Sequence, residues 1–276
     1  DGFRTDEEVR EFMEANGVER RYDSIESLAE NVDIGFIHSC NWDKHLAQAM
    51  PFIKAGKAVF LDKPIVGNLK DCLQLEKLAD EGALILGSSA SRYCDQIREF
   101  AEIPTEERGE IISITGLCGV DDFGYGIHAI EAMSGITGPG IVSACFRSRI
   151  SLNEINSDQY ILERGDGITM VLHLMSGVWL PQAFTVTTTK SVYTIQPDLF
   201  NVYPPMLEAV CDQLENRKKM ASVAEMTENV KAHLAAKKSR ENGGEVVILS
   251  ELEPDETGFD GNRYEEEYIA TVRSRK

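Results

Sequence analysis

At 276 residues, with 42% hydrophobic and 27% charged side chains, the chain has the make-up of a folded protein of two ordinary domains or one large one. Its net charge of −18 argues against a nucleic-acid partner, which needs a positive surface, and no apolar run approaches the ~20 residues of a membrane span. The six cysteines are scattered, with no CxxC and no Cys/His metal spacing, so we expect reduced thiols, no metal and a cytoplasmic setting, with an upstream export signal left open.

In chain order, Thr5-Asp6-Glu7-Glu8 is a capping box that opens a helix. Val9, Phe12 and Met13 share one face, and Gly17 is the stop. Asp23 or Ser24 caps a short helix through Glu30. Residues 33–40 are apolar almost throughout, as a strand buried on both faces should be. Asp43 caps a helix with Leu46, Ala49 and Ile53 inward; Pro51 should kink it, and Gly56 ends it. A strand at 58–61, a helix capped by Asn68 and stopped at Gly82, and a strand at 83–86 complete a strand–helix–strand series. Such units build a parallel sheet with right-handed crossovers.

After Tyr93 the character changes. A short helix at 95–101 and a Glu-rich loop at Pro104 precede candidate strands at 110–118, 141–150, 159–163, 168–175, 183–189 and 192–196. Arg164-Gly165-Asp166-Gly167 is the strongest hairpin signal, so this half reads as a mostly antiparallel sheet. Helices at 204–216 and 222–240 close it, the second through a Ser222/Glu225 capping box. The acid-rich tail after Glu251 is expected to be a surface extension. The fold class is therefore α/β: a Rossmann-like parallel-sheet domain over 1–93, then an α+β domain with a large, mostly antiparallel sheet over 94–276.

Ligands of open α/β sheets bind outside the C-terminal ends of the strands. Lys63 stands at such an end, between Asp62 and Pro64. It is either an acid/base or oxyanion-stabilising group with a lowered pKa, or an ordinary solvated lysine. His128 opens a helical pattern with Glu131 on the same face and Asp121 and Asp122 just upstream; it is an acid/base candidate or a structural histidine. His45, four residues after Asn41, holds a ligand or packs a helix start. His38 lies inside an apolar stretch and is expected in the core, while His173 and His233 have no informative neighbours. Arg92-Tyr93, after the last parallel strand, reaches an anionic or hydroxylated ligand or makes a domain-junction contact. No Gly-x-Gly-x-x-Gly, Walker loop or G-x-S-x-G motif is present.

Together these pieces resemble the glucose–fructose oxidoreductase/inositol dehydrogenase (Gfo/Idh/MocA) family. The matching run is apolar strand 33–40, Asn41, His45, Ala55-Gly56-Lys57, Asp62-Lys63-Pro64 and Arg92-Tyr93, followed more loosely by Gly126-x-His128-x-x-Glu131 and the helix end at Ser239-Arg240. The resemblance implies an NAD- or NADP-binding Rossmann domain and an enzyme moving a hydride between a sugar, cyclitol or related polyol and the nicotinamide. It also implies a homo-oligomer, a dimer or tetramer. It assigns catalysis to Lys63 and His128, the cofactor side to Asn41, His45, Asp62, Lys63 and Pro64, and substrate contacts to Arg92, Tyr125 and Asp122. Two other readings stay open: an NAD-using glycoside hydrolase or epimerase of the same family, and a non-catalytic sugar-binding or scaffold relative.

Three departures stand out. The family's Glu before Lys-Pro is Asp62, and its usual acid four residues before the histidine is Gly124. Its first strand and glycine loop would precede Asp1, so the chain reads as N-terminally truncated, with dinucleotide binding weakened and activity reduced or lost.

Overall fold

The computed structural model describes residues 4–274, and among these ten strands form two sheets. The chain opens with α1 (Asp6–Asn16) and α2 (Ile25–Ala29). Thr5 and Glu8 close a reciprocal capping box on α1, and Ser24 accepts the Ser27 N–H on α2. Next come β1 (Ile34–Ile37), α3 (His45–Lys54), β2 (Ala58–Leu61), α4 (Leu69–Asp80) and β3 (Ile85–Gly87). The three strands are parallel in the order β1-β2-β3, with Phe60 opposite Phe36 and Leu86. All four residues of the central strand β2 are buried, which explains its unbroken apolar run.

Two local differences from the sequence reading affect the site. β1 stops at Ile37 rather than at residue 40, because its partner β2 ends opposite it at Leu61. His38 thus leaves the sheet instead of entering the core; it is exposed and its ring stacks beside Phe36. Helix α3 continues through Pro51 to Lys54 and begins only at His45, after a 3-10 turn at Trp42–Lys44.

The second half holds α5 (Asp95–Glu102), α6 (Thr105–Arg108), β4 (Ile111–Cys118), α7 (Gly126–Thr137), β5 (Ile141–Leu152), β6 (Ile155–Arg164), β7 (Thr169–Ser176), β8 (Ala183–Thr188) and β9 (Val192–Ile195). Then follow α8 (Tyr203–Leu214), α9 (Val223–Glu241), β10 (Val247–Ile248) and α10 (Gly261–Ser274). The sheet order is β10-β5-β6-β7-β4-β8-β9, antiparallel throughout except for the parallel pair β4–β7. Helix α9 lies on β5 and against α4, so one apolar core, including Val59, Leu75, Ile114, Leu162, Val230 and Ala236, runs between the two sheets. No helix among the described residues is long and apolar enough to cross a membrane.

The tail is not a surface extension. Phe259 stacks on Phe123 with ring centroids 3.9 Å apart, and α10 sits against the Trp42–Lys44 turn. Phe259 and Tyr264 pack inward, Tyr268 is exposed, and most of the acids stay exposed; Glu265 is the buried exception. Acid content alone hid this amphipathic arrangement.

At the far end of α9, Arg240 Nη1 donates to Asp122 Oδ2 at 2.6 Å, Asp158 Oδ2 at 2.9 Å and the Tyr160 hydroxyl at 2.8 Å. Arg149 holds the other side of Asp158 through two bonds of 2.6 Å. Asp158 is only 4% exposed, so its charge depends on these partners. Arg240→Leu leaves two acids short of a counter-ion and should cost about 3 kcal/mol in urea-unfolding free energy. Unchanged stability would mean that water or Arg149 compensates fully.

Candidate functional site

Strand β2 delivers Asp62, Lys63 and Pro64 to its C-terminal end. Lys63 Nζ donates to the Gly124 carbonyl at 2.8 Å and lies 4.7 Å from the centre of the Tyr125 ring. Burial lowers its pKa, opposed by the charges of Asp62 and Asp121. Asp62 Oδ1 accepts the Lys63 N–H at 2.7 Å, and its Oδ2 is 3.1 Å from His38 Nδ1. Burial pushes the Asp62 carboxyl up, but the His38 hydrogen bond and the Lys63 charge outweigh it and hold the pKa below its ordinary value. The same Asp62 bond raises His38.

His128 arrives from the other sheet, in the first turn of α7. Its Nδ1 is 2.6 Å from Ser89 Oγ, and that oxygen also accepts the Ser91 N–H at 3.1 Å. Ser89 is fully buried just beyond β3. Among the described residues nothing bonds His128 Nε2, which leaves it as the ring's available nitrogen. Burial, followed by the Lys63 charge, pushes the His128 pKa well below 6.5, so the ring is neutral at neutral pH. The Tyr125 ring is 5.7 Å from that of His128, so the histidine and Lys63 both lie against the same tyrosine. Tyr125, His128, Trp179, Gln182, Leu199 and Tyr203 line a cavity of about 150 Å3.

Other residues singled out from the sequence lie outside this convergence. Arg92 is buried, with Nη1 3.2 Å from Glu131 Oε2 and Nη2 3.3 Å from Glu225 Oε1. It borders a separate recess of about 330 Å3 that also reaches Glu208, Lys218 and Met220. Glu131 turns from His128 to Arg92 and to the Ser88 hydroxyl, and burial raises its pKa. Asp122 is engaged by Arg240 and by His233 Nε2 at 3.4 Å; its carboxyl is held down at about 2 because His233 and Arg240 outweigh its burial.

On the proposed cofactor side, His45 is fully buried, with ring nitrogens 2.7 Å from the Ser39 carbonyl and 3.1 Å from the Ile65 carbonyl. It clamps two strand-end loops together. Pro64 is buried as well. Asn41 is fully buried; its Nδ2 donates to Asn262 Oδ1 at 2.9 Å and Glu265 Oε2 at 3.1 Å. Asp62 and Lys63 are thus the members of this group that are not fully buried.

The C-terminal segment completes the wall. The Trp42 indole N–H donates to the Phe259 carbonyl at 2.9 Å, its ring lies 4.8 Å from that of Tyr264, and Lys44 pairs with Glu265 at 2.6 Å. A Cβ on Gly124 would come within 2.9 Å of the Tyr264 ring, and one on Gly261 within 2.4 Å of Asn41 Oδ1. Ser89, Gln182, Tyr264 and Glu265 were not singled out from the sequence. The serine run at the end of β3 and the aromatic spacing of the tail are the signals that could have found Ser89 and Tyr264.

Residues 4–89 match the family described as an oxidoreductase family with an NAD-binding Rossmann fold. Among solved structures, a probable dehydrogenase from Thermotoga maritima superposes with a TM-score of 0.77 at 16% identity, covering 90% of this chain and 91% of that one. Myo-inositol dehydrogenase from Lactobacillus casei, in complex with NAD(H) and myo-inositol, gives 0.74 at 13% identity, covering 88% and 86%. An oxidoreductase from Agrobacterium radiobacter, in complex with NAD+, L-tartaric acid and magnesium, gives 0.76 at 15%, covering 88% of each chain. At these identities the likeness is one of fold.

Gly124→Asp must push the Tyr264 ring aside and so loosen α10 from Trp42. In a Trp179→Phe background, which leaves Trp42 as the fluorescent reporter, emission should shift to the red. Tyr264→Ala should give the same shift, and the double variant little more, because the two changes act on one contact. An emission maximum unmoved by Gly124→Asp would show that residue 124 has room for a side chain.

Proposed function

With residues 4–89 assigned to the Gfo/Idh/MocA oxidoreductase family, we propose that the protein is an NAD- or NADP-dependent dehydrogenase acting on a CH–OH group of a sugar, cyclitol or related polyol. The observation that carries this reading is the convergence of Lys63, from the end of β2, and His128, from the first turn of α7, on the Tyr125 ring. Asp62, partly exposed at the end of β2, presents carboxylate oxygens suited to the hydroxyls of a dinucleotide ribose, so the residues at this strand end fit the cofactor. A nicotinamide held here would supply the hydride acceptor; the protein's task is placement and proton handling.

His128 Nε2 takes the proton of the reacting hydroxyl. Ser89 Oγ accepts at Nδ1 as the ring becomes doubly protonated, and it is therefore a positioning residue. The Lys63 ammonium stabilises the developing oxyanion from a site of low dielectric, where a charge counts for more than in water. We place the boundary between the cofactor-binding and substrate-binding domains at residues 93/94 and the protein in the cytoplasm. Exposed Ile112, Val142, Ile150 and Leu152 on β4 and β5 support an oligomer.

Two experiments test the reading. With NAD+ or NADP+ and a polyol panel, Lys63→Met should lower kcat on the order of a hundredfold while dinucleotide affinity changes little. Ser89→Ala should lower kcat roughly tenfold with KM nearly unchanged. Unaltered turnover in Lys63→Met would remove the lysine from the chemistry. Since His128 works as a base only when neutral and its pKa is depressed, the acidic limb of kcat/KM should fall below pH 6.5. A limb at or above that value would reject His128 as the base.

A further inference from the structure

The recess bordered by Arg92 lies apart from the catalytic convergence and takes no part in the proton chemistry. The turn after β3, α5, the end of α7, α8 and the loop into α9 enclose it. At about 330 Å3 it is larger than the cavity beside His128 and reaches the size range of small-ligand sites. Ile97, Pro205, Ala209 and Met220 supply apolar wall.

Its charges are unevenly committed. The lining holds the cations Arg92, Arg98, Lys218 and Lys219 and the acids Glu208, Asp212 and Glu225. Every one of these acids has a basic partner: Glu208 bonds Arg98 at 3.3 Å, Asp212 bonds Arg217 at 2.7 Å, and Glu225 bonds Arg92 at 3.3 Å. Lys218 and Lys219, both exposed, have no acidic partner among the described residues. In a chain of net charge −18, two adjacent lysines with no acid set against them stand out.

Arg92 is a second, independent observation. It is 8% exposed, and a guanidinium carries five N–H donors. One bond goes to Glu131 at 3.2 Å and one to Glu225 at 3.3 Å, both long for charged partners, and no other acceptor meets it among the described residues. Its Nε bonds nothing yet is not sealed from solvent, and the cavity that Arg92 lines is this recess. Beside it the Tyr93 hydroxyl accepts the Ala221 N–H at 3.3 Å, which leaves its own proton to donate. Burial pushes the Tyr93 pKa up to about 12, so that proton stays in place.

The lining is thus rich in unmet donors, while its acids are already engaged. A carboxylate brings two oxygens and one charge. A phosphate monoester brings three oxygens and up to two charges, which suits one guanidinium and two ammonium groups. We propose that this recess binds a phosphate monoester, its oxygens held by Arg92, Lys218 and Lys219 and its carbon body laid against Ile97, Pro205 and Met220. The site stands on these residues and does not depend on the dehydrogenase reading.

Binding is measured by calorimetry on the full chain with phenyl phosphate. Inorganic phosphate, benzoate and phenol are matched controls for the body, the head group and the charge. Phenyl phosphate should bind at least roughly tenfold more tightly than each of them. Lys218→Ala together with Lys219→Ala should weaken it roughly tenfold, and Lys218→Glu with Lys219→Glu further; both positions are exposed, so the fold is not at risk. Arg92→Lys keeps a charge beside Glu131 but loses the planar fork, and should also weaken binding roughly tenfold. Lys63→Met should leave binding unchanged.

Binding that survives charge reversal at both lysines, or is lost in Lys63→Met, would put the anion elsewhere and overturn the proposal. So would an Arg92→Lys variant that binds as the native chain does, or benzoate or inorganic phosphate binding as tightly as phenyl phosphate. No heat of binding at millimolar phenyl phosphate would overturn it as well.

Discussion

The bond from Lys63 Nζ to the Gly124 carbonyl, 2.8 Å long, joins the C-terminal end of the central strand β2 to the loop that leads into the His128 helix. An ammonium removed from water needs replacement partners. Here they are one carbonyl, the face of Tyr125, and the more distant charges of Asp62 and Asp121. This set is sparse, and its sparseness lets burial pull the lysine pKa down. A lysine held by one neutral oxygen can exchange that oxygen for one on a substrate at small cost. One locked into a bidentate carboxylate pair could not. The contact that registers the two halves of the site is therefore also the contact that keeps Lys63 available.

A second layer of polar groups fixes the histidine without charging it. Neighbouring serines at the end of β3 divide the work: Ser88 binds Glu131, which Arg92 also grips, and Ser89 binds His128. The acid is therefore spent on the arginine, one residue away from the hydroxyl that meets the imidazole. A carboxylate on Nδ1 would raise the histidine pKa; a hydroxyl supplies direction with far less electrostatic support. Burial, followed by the Lys63 charge, then favours the neutral ring.

Much of this was readable from the chain. The strand–helix alternation up to Ser88, both capping boxes, the mostly antiparallel second sheet and the importance of the strand end at Lys63 follow from local patterns, because apolar period and cap residues act over a few positions. What stayed hidden depends on long-range pairing. His38 looked like a core residue because it continues an apolar run; only the end of β2 opposite Ile37 decides that it leaves the sheet. His233 looked isolated, yet it packs edge-on to Phe123 and Phe259 and faces Asp122, on partners 26 to 111 residues distant in sequence. Asn41 was readable as a polar residue at a strand end, but not as one buried by Asn262 and Glu265. The tail misled for the same reason: its acids dominate the composition, while its few aromatic residues decide where it lies.

The glycine at 124 and the helix at the C-terminus are one structural solution. The Tyr264 ring fills the space into which any side chain at position 124 would grow. Neither feature can change alone: a side chain at 124 meets the ring, while loss of the ring removes the aromatic contact with Trp42. Four residues on, His128 Nδ1 is met by the Ser89 hydroxyl. Docking of α10 and the absence of a side chain at residue 124 thus depend on each other, and the carbonyl of the same residue holds Lys63, whose charge adds to burial in keeping His128 neutral.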